Sequence, residues 1–499
     1  MSPRAVGGPP SNVRNARWTD EEFQAVRAQV LAMWPTGREV DLDEAVGFHR
    51  SLKPGQNHAR RLAEARRTGR TLIQPLAGVA TVGGQIALTR CLQDEGGADV
   101  VPTQVDSLTR TLRFAEAETK ITESEHAGRS LLNGFPIVNH GVAKARRVVE
   151  QLRVPVELRA GAPDLRLVAE MAFASGHSGF TVGPIYYTFH YSSGVELADS
   201  IRYWQYLFRL AGIYQERGVP ISLNVHGAHN SAHFPHSLLN AAVVLETLLA
   251  AEQGVRNVHI DTRCMGNLVQ DVAAARIAAG VVTDYCRRSG YPDVSVYTVN
   301  KTWSGAFPQD EPKAYALLAF NSTIGALAGA DELIIKSVEE AVGVPAKEKN
   351  AASIRSVRHT VDMVKAQRVP LDERALAREA EMVEAETRAV VDRVLEVGGG
   401  DPAVGIVRAV KAGYLDVPFA ASRHCAGKVL VVRDADGAVR FLDPGDLPIP
   451  KDVLAYHREK IAEREAVLGR PVGYQEVVED VLFLSTGVLA GSAARAART

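Results

Sequence analysis

The chain reads as an α/β protein: a (β/α)8 barrel with a helical lead-in and a smaller α+β accessory domain. Three observations point there. Its 499 residues exceed one ordinary core and suit a large barrel plus an accessory domain. From about residue 70, short apolar runs alternate with helical segments, the pattern of a parallel sheet with right-handed crossovers. Alanine and valine are plentiful while aromatics make up only 6%, which suits tight packing of helices on a sheet.

The runs are LIQPL (72–76), ADVV (98–101), NGFPIV (133–138), VPVELR (154–159), GFTVGPI (179–185), PISLNV (220–225), NVHID (257–261), VSVYTV (294–299) and ELIIK (332–336). Eight close a barrel, so one of the nine is surplus, and ADVV or GFTVGPI is expected to be the one. Helices are expected at 196–217, 236–253 and 267–289. Thr19-Asp-Glu-Glu22 is a capping box that opens the first helix. Residues 1–17 are expected to be a flexible lead-in and 18–350 the barrel with its N-terminal helices. The accessory domain is expected over 351–486 and a frayed tail over 487–499. Within the accessory domain, a charged helix over 372–396 precedes a hairpin in 429–442 around Asp434-Ala-Asp-Gly437, and a second helix covers 451–468.

Net charge is −1, which argues against nucleic acid or an anionic membrane as partner. No apolar stretch approaches membrane-spanning length, and the N-terminus lacks a secretory h-region. Cys91, Cys264, Cys286 and Cys425 are scattered without a CxxC, the usage of a reducing, cytoplasmic setting.

Barrel active sites form at the C-terminal strand ends. The residues to inspect are therefore Leu76 to Gly78, Arg110, Asn133, Arg159, Thr181 to Tyr191, the histidines after 225, Phe307 and Lys336. Arg110 and Arg159 suit bidentate capture of a carboxylate in a partly desolvated mouth, although any one arginine is more often a surface charge. His226, His229, His233 and His236 have spacings that can ligate a metal, but no acidic residue is near in sequence. Metal ligands, substrate contacts and ordinary loop residues stay open for them.

An ordered set of blocks resembles the large subunit of glutamate mutase (methylaspartate mutase). The blocks are WTDEEF (18–23), DEGGAD (94–99), AGRSLLNGFP (127–136), PDLRLVAE (163–170), LLAAEQGV (248–255), FPQDE (307–311), AGADELIIK (328–336), EEAVGVPAKE (339–348) and PFAASRHCAGKVLVVRD (418–434). The resemblance implies an adenosylcobalamin-dependent isomerase acting by radical 1,2-rearrangement, with no residue needed as acid, base or nucleophile. It also implies a small partner subunit that carries an Asp-x-His-x-x-Gly cobalamin motif, and a homodimer of this chain inside a heterotetramer. Asp261-Thr-Arg-Cys-Met-Gly266 has the outline of that motif, but Arg263 stands where the cobalt-ligating His belongs.

By the same resemblance, Gly78, Asn133, His190, Phe307, Lys336, Glu340 and Val344 face the cofactor, with His190 replacing a family Pro. Ser337-x-x-Glu340 also reads as a capping box, so a capping role for Glu340 competes with ribose binding. Arg110, Arg159, Tyr187 and Tyr191 match the family's substrate side. Leu76, Ala160 and Thr181 replace an Arg, a His and a carboxylate there. Leaving a desolvated carboxylate without its Arg costs roughly 3–5 kcal/mol. The expected substrate is therefore an amino acid or related carboxylate other than glutamate, a non-standard amino acid among the candidates, with a less polar or uncharged distal group. Two alternatives remain: a metal-dependent barrel hydrolase or lyase built on the histidines, and a non-catalytic scaffold.

Overall fold

The structure, a computed structural model, describes residues 13–192, 194–227 and 233–491. Eight strands form one sheet: β1 (Leu72–Pro75), β2 (Val101–Gln104), β3 (Val156–Arg159), β4 (Gly179–Val182), β5 (Ser222–Val225), β6 (Asn257–Arg263), β7 (Ser295–Lys301) and β8 (Glu332–Ile335). Neighbours pair in parallel in the order β1-β8-β7-β6-β5-β4-β3-β2. Two backbone hydrogen bonds span the remaining gap between β1 and β2: Asp99 N to Ile73 O (3.0 Å) and Gln104 N to Ala77 O (3.1 Å). The ring is a (β/α)8 barrel, its strands buried on both faces because side chains fill the inside and helices cover the outside.

The surplus run is neither of the two expected. GFTVGPI supplies β4, and ADVV leads into β2, contributing Val101. NGFPIV is the one outside the sheet: it crosses the mouth as a loop and enters the helix Ile137–Val149. Pro136 has no N–H for a ladder, and Gly134 sits at φ +144°, where an added Cβ would lie 2.3 Å from Asp106 N. The helices Leu197–Glu216, His236–Glu252 and Leu268–Arg288 lie where periodicity places them, and Thr19 and Glu22 form the expected reciprocal cap.

Among the described residues, the segments next to both ends contact the body. Asn15 N donates to Asp401 and Asn15 Nδ2 to Leu248 O, so 13–17 packs against the body. Ala490 is buried and its carbonyl accepts from Arg464 (3.0 Å). The helix after β8, Lys347–Lys365, packs between Val82–Asp94, which follows β1, and Glu311–Ala328, which follows β7, so the outer ring continues past residue 350.

The long helix Glu373–Gly398 lies across Leu268–Arg288 and His236–Glu252. The antiparallel hairpin β9 (Leu430–Arg433) and β10 (Val439–Asp443) joins it through one buried network. Glu379 takes a bidentate contact from Arg440 (2.9 and 2.5 Å), with Gln270 (3.0 Å) and Tyr456 (2.6 Å) as further donors. Arg440 Nε reaches Asp434 at 2.7 Å. Among the described residues no helix is long and apolar enough to cross a membrane.

Removing one partner of a buried, hydrogen-bonded charge pair typically costs roughly 3–5 kcal/mol. Glu379→Ala is expected to lower the urea midpoint accordingly, whereas Glu116→Ala, which breaks a fully exposed pair, leaves it unchanged. Equal midpoints for the two variants would contradict the assigned role of the network.

Candidate active site at the barrel mouth

A cavity of about 380 Å³ opens at the C-terminal ends of the strands. It collects most of the side chains singled out above. Leu76 and Gly78 approach from the end of β1, and Arg110 and Asn133 from the loops after β2. Arg159 and Ala160 come from the end of β3, Thr181 from β4, and Tyr187 and Tyr191 from the helix Pro184–Tyr191. Lys336, Glu340 and Val344 close it beyond β8. Phe307 and His190 do not line the cavity: Phe307 is buried in the loop after β7, and His190 Nδ1 lies 3.1 Å from Tyr186 O.

Arg110 ends a single helical turn, Ser107–Arg110, whose N–H groups are held by Asp106. Arg159 Nη1 donates to Glu157 Oε1 (3.0 Å) and Asn224 Oδ1 (2.9 Å), so it enters the cavity already oriented. Burial works against the Glu157 charge, but Arg159, His259 and His58 hold its carboxyl well below the usual carboxylate range. Thr181 Oγ1 donates to the same oxygen at 3.3 Å.

Tyr187 is clamped between the His226 ring (5.0 Å between centroids, 18° between planes) and Trp204 (5.9 Å, 32°). Gly161 makes room for it, since a Cβ there would lie 2.8 Å from the Tyr187 ring. The helix bearing both tyrosines is anchored by Glu246, whose Oε1 accepts from Ile185 N at 2.8 Å. Burial pushes the Glu246 carboxyl well above its ordinary range.

The Ser337–Glu340 spacing caps nothing, because residues 338–342 form turns and the next helix begins at Lys347. Ser337 Oγ accepts from Glu339 N (3.2 Å), and the Glu340 carboxylate instead pairs with Lys336. The histidines do not converge either. His226 lines the cavity, His233 Nε2 faces Val431 O (3.1 Å), and His236 Nε2 faces Asp271 Oδ1 (2.8 Å). His229 lies outside the described residues. No acid is near them in sequence, but the fold brings acidic partners from distant segments: Asp261 for His226 and Asp271 for His236.

Two cations in the mouth escaped the sequence argument. Arg263 ends β6 and Lys301 ends β7, and the two are register partners. The runs NVHID and VSVYTV stop two residues short of the strand ends, since barrel strands turn polar where they reach the mouth. A rule extending each strand to the next break would have found both. Behind them Asp261 receives Lys301 Nζ (2.7 Å), His226 Nδ1 (2.9 Å), Arg263 Nη2 (3.3 Å) and Asn224 Nδ2 (3.0 Å). Burial opposes the Asp261 charge, but Lys301, His226 and Arg263 hold its carboxyl well below the ordinary range. Burial, reinforced by Lys301, pushes His226 well down, so its ring is neutral.

The sequence matches the family described as Methylaspartate mutase E chain over residues 52–493. The chain belongs to that family. It is 44% identical to the glutamate mutase epsilon subunit of Desulfitobacterium hafniense over 480 residues, 96% of this chain and 99% of that one. The epsilon subunits of Treponema denticola (42%, 97% of this chain, 99% of the relative) and Haloarcula marismortui (41%, 95% and 96%) are similar at comparable length. Methylaspartate mutases are isomerases that rearrange a carbon skeleton, so the mouth cavity is the place to look for substrate contacts in this chain.

An unfolded Glu carboxyl titrates near ~4.3. Glu246 in the fold titrates well above that, so between the two values the folded chain holds the extra proton and loses stability as pH rises. Glu246→Gln keeps an acceptor for Ile185 and removes the titration. Its urea midpoint is expected to fall less than the parent's between about pH 5 and about pH 8; an unchanged slope would assign the effect elsewhere.

Proposed function

We propose that this chain is the large, substrate-binding subunit of an adenosylcobalamin-dependent carbon-skeleton mutase whose preferred substrate is a carboxylate other than glutamate. The observation that carries it is that one cavity is lined both by Gly78, Asn133, Lys336, Glu340 and Val344, which the resemblance assigns to the cofactor, and by Leu76, Ala160 and Thr181, which it assigns to an altered substrate wall.

The residues present suit the cofactor. Lys336 offers donors and Glu340 acceptors at the rim, a complement to a sugar diol. Exposed Val342 and Val344 beside them give an apolar rim for the face of a large ring. When bound, adenosylcobalamin supplies the carbon-centred radical chemistry that the family's rearrangement requires. In this reading Lys336 and Glu340 grip the ribose, Arg110 and Arg159 fix a substrate carboxylate, and the packed barrel excludes water from the reacting atoms.

Cobalt ligation belongs to another chain. Arg263 occupies the outline position of the ligating His, is the last residue of a barrel strand, and cannot give up its proton to bind a metal. The partner is therefore a small subunit carrying Asp-x-His-x-x-Gly, with two copies of each chain in the assembly. The histidine-based metal enzyme is disfavoured, since His226, His233 and His236 serve separate partners.

Reconstitution with such a subunit and adenosylcobalamin, followed by paramagnetic resonance across a panel of carboxylic acids, tests the reading. Substrate-dependent radical signals are expected with at least one acid. L-glutamate is expected to turn over roughly a hundredfold more slowly than with a family glutamate mutase; parity would overturn the altered specificity. Lys336→Met is expected to raise the half-saturating cofactor concentration by roughly ten- to a hundredfold, as for loss of a charged hydrogen bond.

A further inference from the structure

Leu76 brings no charge to the mouth, yet the mouth is not short of positive charge, which goes against the expectation of an uncharged distal group on the substrate. Arg263 and Lys301 are both buried, both line the cavity, and sit side by side on β6 and β7. In a ring of eight, β7 lies four strands from β3, so Lys301 faces Arg159 across the barrel. We propose that the β6–β7 wall is a second anion subsite, and that the molecule taken up here carries two anionic groups and no ammonium. The inference rests on the substrate role assigned to this cavity and names its substrate class.

Charge balance supports it. Arg110, Arg159, Arg263 and Lys301 give four cations around the cavity, and the carboxylates they pair with, Glu157 and Asp261, number two. The difference is two positive charges; Lys336 and Glu340 cancel, His226 is neutral, and burial pushes Lys301 well below the ordinary lysine range, a shift that a bound anion would oppose. After burial itself, Arg159 lowers the proton affinity of Arg263, and Arg159 and Arg263 together lower that of Lys301. Like charges held in a desolvated mouth are relieved by an anion. Arg110 Nε and Arg263 Nε are buried with no protein acceptor, which leaves donors for it.

An ammonium finds no such welcome. Among the described residues, Glu340 is the one carboxylate that lines the cavity, and Lys336 already occupies it. Asp261 and Glu157 lie behind the wall, the first saturated by Lys301, His226, Arg263 and Asn224, the second tied to Arg159 and Thr181. Thr181 lines the cavity and adds no charge. The class that fits is a dicarboxylate with a neutral carbon between its ends.

Calorimetric titration of the full chain with glutarate, L-glutamate and butyrate tests this. Glutarate is expected to bind at least about tenfold more tightly than either of the others. Lys301→Met and Arg263→Gln are each expected to weaken glutarate by roughly ten- to a hundredfold while moving butyrate by less than about threefold. Arg263→Lys, which keeps the charge, should keep the ranking, and thermal melts confirm that each variant is folded. The proposal falls if L-glutamate binds as well as glutarate, or if both variants weaken butyrate and glutarate equally. Paramagnetic resonance on the reconstituted complex separates this from the reaction itself. Glutarate-selective binding without radical signals from any acid would overturn the mutase reading and keep the subsite. Signals with L-glutamate but not with glutarate or its 2-methyl and 2-hydroxy derivatives would do the reverse.

Discussion

Asp261 lies at the barrel mouth with no exposure to water, and a charge in that position must be neutralised by its neighbours. Lys301, His226, Arg263 and Asn224 answer it, from β7, the end of β5, β6 itself and β5. Three adjacent strand ends, those of β5, β6 and β7, are thereby locked in mutual register. The same demand sets the state of the cavity wall: His226 stays neutral against Tyr187, and both cations point where a ligand would lie. On the opposite side Glu157 does for Arg159 what Asp261 does for Lys301. Two buried carboxylates, each behind a cationic front, give the mouth its polarity.

The scaffold around them is rigid for a related reason. The accessory hairpin is tied to barrel helices through the buried Glu379, Arg440, Asp434 and Gln270 set rather than by apolar contact alone. Polar groups of this kind are costly unless every partner is in place, so they favour one docking geometry over near alternatives. Glu246, neutral and buried, gives the tyrosine helix a fixed start in the same way.

Much of this was legible from residue order. Apolar runs reached all eight strands, β2 through Val101 alone, and periodicity placed the long helices; motif resemblance gathered Leu76, Gly78, Arg110, Asn133, Arg159, Thr181, Tyr187, Tyr191, Lys336, Glu340 and Val344, all of which line one cavity. The errors share a cause. NGFPIV is apolar because it packs across the mouth, not because it pairs in the sheet. Ser337 and Glu340 have capping spacing but no helix to cap, because β8 runs into turns and Lys336 claims the carboxylate.

Local sequence by itself determined the barrel class, the helix positions and the absence of a cobalt-ligating histidine at Arg263, since each depends on spacing within one segment or on one side chain's chemistry. Tertiary structure alone decided the charge of the site. Asp261 meets His226 and Lys301 from 35 and 40 positions away, and His236 meets Asp271 in the same manner. Whether a cation faces a ligand or a buried carboxylate depends on which strands adjoin, and closure of the ring sets that.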